Sequence, residues 1–122
     1  TKEIRWVNGG HQPALIRDNN GNYEKFESNS PPLGVISQKD KSTYKTNTKQ
    51  LNNHRFYTFT DGLSESFDEK GEEIGIEGSI KIIENNYNKD LNEQLLNVTK
   101  EVIRTAGDNK LSDDLTLLSI GK

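Results

Sequence analysis

Apolar positions change their spacing about halfway along the chain. In the first half they come in short runs: Ile4 to Val7, Ala14 to Arg17, Tyr23 to Phe26 and Arg55 to Thr60. Runs of this length, rich in β-branched and aromatic residues and separated by turn residues, predict strands. Asp18-Asn19-Asn20-Gly21, between the second and third runs, predicts a hairpin. Ser30-Pro31-Pro32-Leu33-Gly34 predicts a rigid loop, because consecutive prolines suit neither a helix nor a central strand. Thr43 to Leu51 alternates loosely, as an edge or half-exposed strand would. Asn52-Asn53-His54 then turns into Arg55 to Thr60, the strongest candidate for a buried strand.

In the second half the period becomes helical. Ile76, Ile80, Ile83 and Tyr87 fall on one helix face, and Leu91, Leu95, Val98, Val102 and Ala106 repeat the pattern. Asp90 stands at an N-cap position with Glu93 three residues on, the spacing of a capping box, and Gly107 marks the stop. Leu115 to Ile120 reads as one last strand. Strands, then two helices, then a strand, with no repeat and no linker, predict one α+β layered domain over residues 1–122.

Composition narrows the function classes. Hydrophobic residues make up 30% of the chain and mean hydropathy is -0.91, so the core is thin and the surface strongly polar. The net charge of -3 and pI near 5.4 lack the basic footprint of a nucleic-acid binder. Lys39, Lys41, Lys45 and Lys49 are read as a solvated face. The absence of cysteine excludes disulfides and thiol chemistry and suits the cytoplasm. No apolar stretch approaches the ~20 residues needed to span a bilayer, and no signal peptide is visible. A chain that starts at Thr1 and contains no methionine reads as a processed product or as an excerpt of a longer polypeptide.

The candidate chemistry lies in two carboxylate motifs far apart in sequence. Thr60-Asp61-Gly62-Leu63 follows the run Phe56 to Phe59, and Ser112-Asp113-Asp114-Leu115-Thr116-Leu117-Leu118 leads into the last strand. A carboxylate at a strand end can project from a rigid sheet into a cleft, and two such strands side by side could hold a hard divalent cation. Taken singly, each motif also reads as an ordinary turn next to a strand. His11, in Asn8-Gly9-Gly10-His11, is read as locally satisfied, and His54 as a surface residue. The acidic stretch from Glu65 to Glu73 lacks the spacing of a calcium loop and reads as solvated.

Five motifs in order carry a resemblance. Asn8-Gly9-Gly10-His11-Gln12-Pro13, Pro32-Leu33-Gly34-Val35, Phe59-Thr60-Asp61-Gly62-Leu63-Ser64-Glu65, Gly71-Glu72-Glu73-Ile74-Gly75 and Asp113-Asp114-Leu115-Thr116-Leu117-Leu118 recur together. The chain resembles the C-terminal portion of the stage II sporulation protein E type phosphatase domains, bacterial members of the metal-dependent PPM class of serine/threonine protein phosphatases. The resemblance implies part of a four-layer α-β-β-α sandwich with antiparallel sheets. It implies hydrolysis of phosphoserine or phosphothreonine in a protein, typically a phosphorylated anti-sigma factor antagonist, with two Mn²⁺ or Mg²⁺ ions. By motif position Asp61 and Asp113 correspond to direct metal ligands and catalytic residues, with Gly62 and Asp114 beside them in a supporting place. Family members carry further metal-site acids ahead of the strand at which this chain begins. The chain alone is therefore expected to hold part of a binuclear site and to be nearly inactive. An apolar face that would pack on the preceding half is expected to drive pairing of two copies. The alternative expectation is a pseudophosphatase, a regulatory binding module that keeps the fold without turnover.

Overall fold

The short apolar runs form strands where their spacing places them. The computed structural model describes residues 2–37, 43–107 and 113–122, and these divide into two compact units within the fifth strand. One unit runs to Phe56 and includes Gly121; the other runs from Tyr57 to Ile120 and includes Lys122.

In the first unit β1 (Glu3–Trp6) pairs antiparallel with β4 (Asn47–Gln50), Glu3 opposite Gln50 and Trp6 opposite Asn47. The second pair is a hairpin, β2 (Ala14–Arg17) with β3 (Tyr23–Phe26), Ala14 opposite Phe26 and Arg17 opposite Tyr23. Asp18 builds its turn. Its carboxylate accepts hydrogen bonds from the Asn20 amide at 2.8 Å, the Asn22 amide at 2.9 Å and the Asn22 side chain at 3.0 Å. The Asn22 side-chain bond is the largest cause holding this carboxyl below its ordinary pKa, with the Asn22 backbone amide next.

All four residues of β2 are buried, a two-sided burial that simple alternation does not reveal. Ala14, Ile16, Leu51 and Phe56 form the core of this unit, with Ile4, Trp6 and Phe26 packed against it. Trp6 meets Phe26 edge-on at 5.1 Å and lies 5.3 Å from Phe56, both favourable aromatic geometries. The strand expected from Thr43 begins only at Asn47, and Leu51 follows it as a core residue. Gly10, at φ 81°, faces Pro32, whose Cγ stands 2.9 Å from where a Cβ would be. The Gly-Gly turn and the Pro-Pro loop thus fit because one of them lacks side chains.

Two surface readings change. Lys39 and Lys41 lie outside the described residues, and Lys45 is exposed as expected. Lys49 instead bonds Glu24 at 2.9 Å and sits 5.7 Å from the Phe26 ring centroid. His54 is half-buried, because its amide bonds back to the Leu51 carbonyl and tucks the turn inward. Its ring lines a cavity of about 230 Å³ with Ile16, Asp18, Asn22 and Lys49 among the walls.

The second unit carries the helices. β5 (Arg55–Phe59) has β6 (Leu117–Ile120) as a neighbour. Three helices lie between them in sequence: α1 (Asp61–Ser64), α2 (Gly75–Asn85) and α3 (Leu91–Ala106). α2 packs on α1 and α3, and α3 packs on β6. Tyr57, Phe59, Leu63, Ile83, Val98, Val102 and Ala106 are buried here. α1 is a helical turn where the sequence suggested only a bend.

Gln94 is a core residue that periodicity misses. It is fully buried, accepting from the Tyr57 hydroxyl at 3.0 Å and donating to the Ile83 carbonyl at 3.0 Å. With both ends of the amide satisfied, its burial carries no desolvation penalty for an orphaned group. Tyr87, expected on the α2 stripe, lies past the helix end and is exposed.

α3 starts and stops where its end residues indicate. The Asp90 carboxylate caps the Asn92 and Glu93 amides at 2.9 and 3.2 Å, and Gly107 closes the helix at φ 55°. The Asp90 amide donates to the Asn88 side chain at 2.9 Å, the bond a full capping box would assign to Glu93. Asp90→Ala is expected to lower stability by about 1 kcal/mol, read as a lower urea midpoint with an unchanged m-value.

Asp68 shapes the acidic stretch by accepting from the Lys70 and Glu72 amides at 2.8 and 3.0 Å. It is a turn former. Among the described residues, no helix is long and apolar enough to cross a membrane.

Candidate functional site

β5 ends at Phe59, and Thr60 leaves it extended, at φ -80° and ψ 168°, to become the N-cap of α1. That exit is bonded to the approach of β6. The Thr60 amide donates to the Thr116 carbonyl at 3.0 Å. The Thr60 hydroxyl donates to the Asp114 carbonyl at 3.1 Å and accepts from the Thr116 amide at 2.9 Å. One threonine therefore makes three hydrogen bonds to the second motif.

Gly62 draws the same two segments together. It is buried, and a Cβ built on it would stand 2.7 Å from the Asp114 carbonyl carbon and 3.0 Å from the Leu115 Cα, with the Asp114 oxygen nearer still. The glycine of the Asp-Gly pair is thus required by space, because the backbone of the other motif occupies the place of a side chain. Ser66 holds α1 from beneath, donating to the Gly62 carbonyl at 2.5 Å.

The acids stand around this junction. Asp61 is the first residue of α1, exposed, with its carbonyl accepting the Glu65 amide at 2.8 Å. Asp113 is exposed and uses one carboxylate oxygen to accept the Asp114 amide at 2.8 Å. Asp114 is exposed too, with its main-chain oxygen turned toward Thr60. The backbone at Gly62 lies against that at Asp114, and Asp61 and Asp113 are the residues next to these two. Ser112, at the head of the second motif, lies outside the described residues.

The donor chemistry suits a hard cation: carboxylate oxygens, exposed, on two segments that fix one another. The number falls short. Among the described residues, no group of three or more His, Asp or Glu side chains could hold a metal ion. Taken by themselves, these carboxylates are donors of the kind that Mn²⁺ or Mg²⁺ takes, but too few to hold such an ion firmly.

His11 takes no part. Its amide donates to the Asn8 side chain at 2.8 Å, and its ring meets the Gln12 carbonyl at 3.2 Å, the local satisfaction expected of it. The residue that sequence reasoning passed over is Thr60. Its partners lie 54 and 56 residues away, so no local signal marked its hydroxyl as the link.

Solved structures with this architecture exist. The SiaA-PP2C domain of Pseudomonas aeruginosa superposes with a TM-score of 0.78 at 17% identity, over 98% of this chain and 46% of that one. The RsbU and RsbW domains of a Mycobacterium tuberculosis protein give 0.70 at 20% identity, over 96% and 32%. The phosphatase domain of the cell fate determinant SpoIIE from Bacillus subtilis, presoaked with manganese, gives 0.63 at 19%, over 99% and 55%. The chain spans about half the length of these structures or less, and the likeness establishes the α+β fold of PP2C-type phosphatase domains, with antiparallel strands. No curated protein matches the chain in sequence. The family model described as Stage II sporulation protein E (SpoIIE) matches residues 1–121, and the chain belongs to that family.

Proposed function

We propose that this chain is the C-terminal portion, folded as one domain, of a metal-dependent phosphatase that hydrolyses phosphoserine or phosphothreonine in a protein. The observation that carries the reading is the junction of the two motifs: the Thr60 hydroxyl bonded to Asp114 and Thr116, and Gly62 seated against Asp114. Family membership supports it, as does the PP2C phosphatase fold of the neighbours.

Asp61 and Asp113 are the residues that would hold Mn²⁺ or Mg²⁺, with Gly62 and Asp114 supporting them and the remaining ligands coming from outside this chain. Two such ions, when bound, supply an activated water and neutralise charge on the phosphoryl oxygens. The chain's own part is to keep the two carboxylates on facing segments that cannot drift apart. It contains no cysteine to serve as a nucleophile. The substrate class is a phosphorylated anti-sigma factor antagonist in a bacterial stress or sporulation pathway of the cytoplasm. Exposed Leu96 and Ile103 on α3, with Leu118 and Ile120 on β6, support pairing of two copies when nothing else covers them.

The small donor set among the described residues favours one second reading, a pseudophosphatase that binds its partner without turnover. Phosphate release from a phosphoserine protein separates the two. The full-length protein is expected to release phosphate with Mn²⁺ and to stop with EDTA. The 122-residue chain alone is expected to turn over at least about 100-fold more slowly, because several oxygen ligands are needed to hold such an ion. Tight binding of the phosphoprotein by the full-length protein with no metal-dependent release would establish the binding module instead.

A further inference from the structure

We infer that Thr60 is a positioning residue for the carboxylate pair, acting through its hydroxyl on the backbone that carries Asp113 and Asp114. The inference rests on the phosphatase reading, since it presumes that Asp61 and Asp113 work together. Its evidence is independent of that reading and lies in the hydrogen bonds.

The Thr60 hydroxyl donates one bond and accepts one, and both partners belong to the other motif. It donates to the Asp114 carbonyl at 3.1 Å and accepts from the Thr116 amide at 2.9 Å. The Thr60 amide adds a third bond, to the Thr116 carbonyl at 3.0 Å. Main-chain pairing alone would stop at that third bond. The hydroxyl carries the connection across Leu115 to Asp114, next to Asp113, where the peptide must turn its carbonyl inward. Asp113 holds its carboxylate against the Asp114 amide at 2.8 Å, on the peptide unit just before the one whose carbonyl Thr60 bonds, so fixing the Asp114 backbone constrains the Asp113 side chain through one residue.

On the other side Thr60 is the N-cap of α1, yet its side chain makes no capping bond. A threonine at an N-cap ordinarily spends its hydroxyl on the helix amides. Here the hydroxyl is turned away from that use and toward the second motif. Asp61, the adjacent residue, inherits the fixed direction of the chain. A β-branched side chain suits the role, because its χ1 is stiff and the hydroxyl loses little freedom when it bonds.

Valine at this position keeps the shape and removes the hydroxyl; serine keeps the hydroxyl. In the full-length protein, Thr60→Val is expected to weaken Mn²⁺ binding, followed by electron paramagnetic resonance of the free ion, by about tenfold, the loss that one or two hydrogen bonds convert to. Thr60→Ser is expected to restore binding to within about twofold of the parent. Asp61→Asn serves as the control for the underlying reading. If Asp61→Asn loses Mn²⁺ while Thr60→Val binds as the parent does, or if Ser and Val lose it equally, the positioning role is wrong. If Asp61→Asn itself binds Mn²⁺ unchanged, the phosphatase reading of the site fails first.

A measurement on the unsubstituted protein keeps the inference testable even if Thr60→Val does not fold. The Thr116 amide is expected to exchange with solvent deuterium slowly, and more slowly still with Mn²⁺ bound. Exchange at the rate of an unstructured amide would overturn the role of the hydroxyl.

Discussion

Asp61→Asn and Asp113→Asn are each expected to lower manganese-dependent phosphate release by the full-length protein by more than about 100-fold, with the fold left intact. Both side chains are exposed. Asp61 is exposed at the start of α1, and the contacts that place its backbone belong to Thr60 and Gly62. Among the described residues Asp113 accepts one bond, from the Asp114 amide, and an asparagine oxygen in the same position can accept it too. Circular dichroism should therefore stay near that of the parent.

The metal-free melting temperature is expected to hold or rise slightly, because each substitution removes one negative charge from a chain whose net charge is already -3. Added Mn²⁺ should separate the proteins. The parent should melt higher with the ion, as any protein does when its folded form alone binds a ligand, and the two variants should not. Parent-like turnover in either variant would remove that residue from the metal site.

Much of this arrangement was legible because the signals were local. The β2–β3 hairpin follows from Asp18 and Gly21, the start of α3 from Asp90, and its end from Gly107. In each case the deciding interaction spans only a few residues. Long-range features were legible only in outline. That the Asp-Gly and Asp-Asp motifs would meet was expected, but the means of their meeting was not. Thr60 contacts residues 54 and 56 positions away, and nothing in the spacing of either segment announces which hydroxyl makes the link.

Gln94 was missed for a related reason. A polar side chain is buried when its partners happen to be present, and the partners of Gln94 lie on β5 and α2. Tyr87 erred in the other direction. Its period fits the apolar stripe of α2, but the helix has already ended, with the Asn86 amide bonded to Ile82. Period describes a face, and the length of the helix is decided by its cap.

Gly62→Ala is expected to be destabilising although it adds only one methyl group. Alanine at a helical position ordinarily stabilises by about 1 kcal/mol relative to glycine, and Gly62 is not in the left-handed region. Space reverses the sign. The new Cβ would lie 2.7 Å from the Asp114 carbonyl carbon and 3.0 Å from the Leu115 Cα. Those are main-chain atoms, which cannot rotate out of the way as a side chain can. Relief requires the approach to β6 to move off α1, which stretches both Thr60 hydroxyl bonds. Overpacking of this kind costs about 1–3 kcal/mol.

The same shift would part the two carboxylates, so Mn²⁺ binding should weaken although no oxygen donor has been removed. Gly78→Ala is the matched comparison. There the close contact is with the Ile74 side-chain Cγ2 at 2.7 Å, a methyl group and not main chain, so this variant is expected to be less destabilised than Gly62→Ala. Urea unfolding of the two variants, with Mn²⁺ titration of each, separates a crowded junction from the general effect of replacing glycine in a helix. Equal stability and equal Mn²⁺ affinity in the two would mean that the Asp-Gly and Asp-Asp segments are not held together at Gly62.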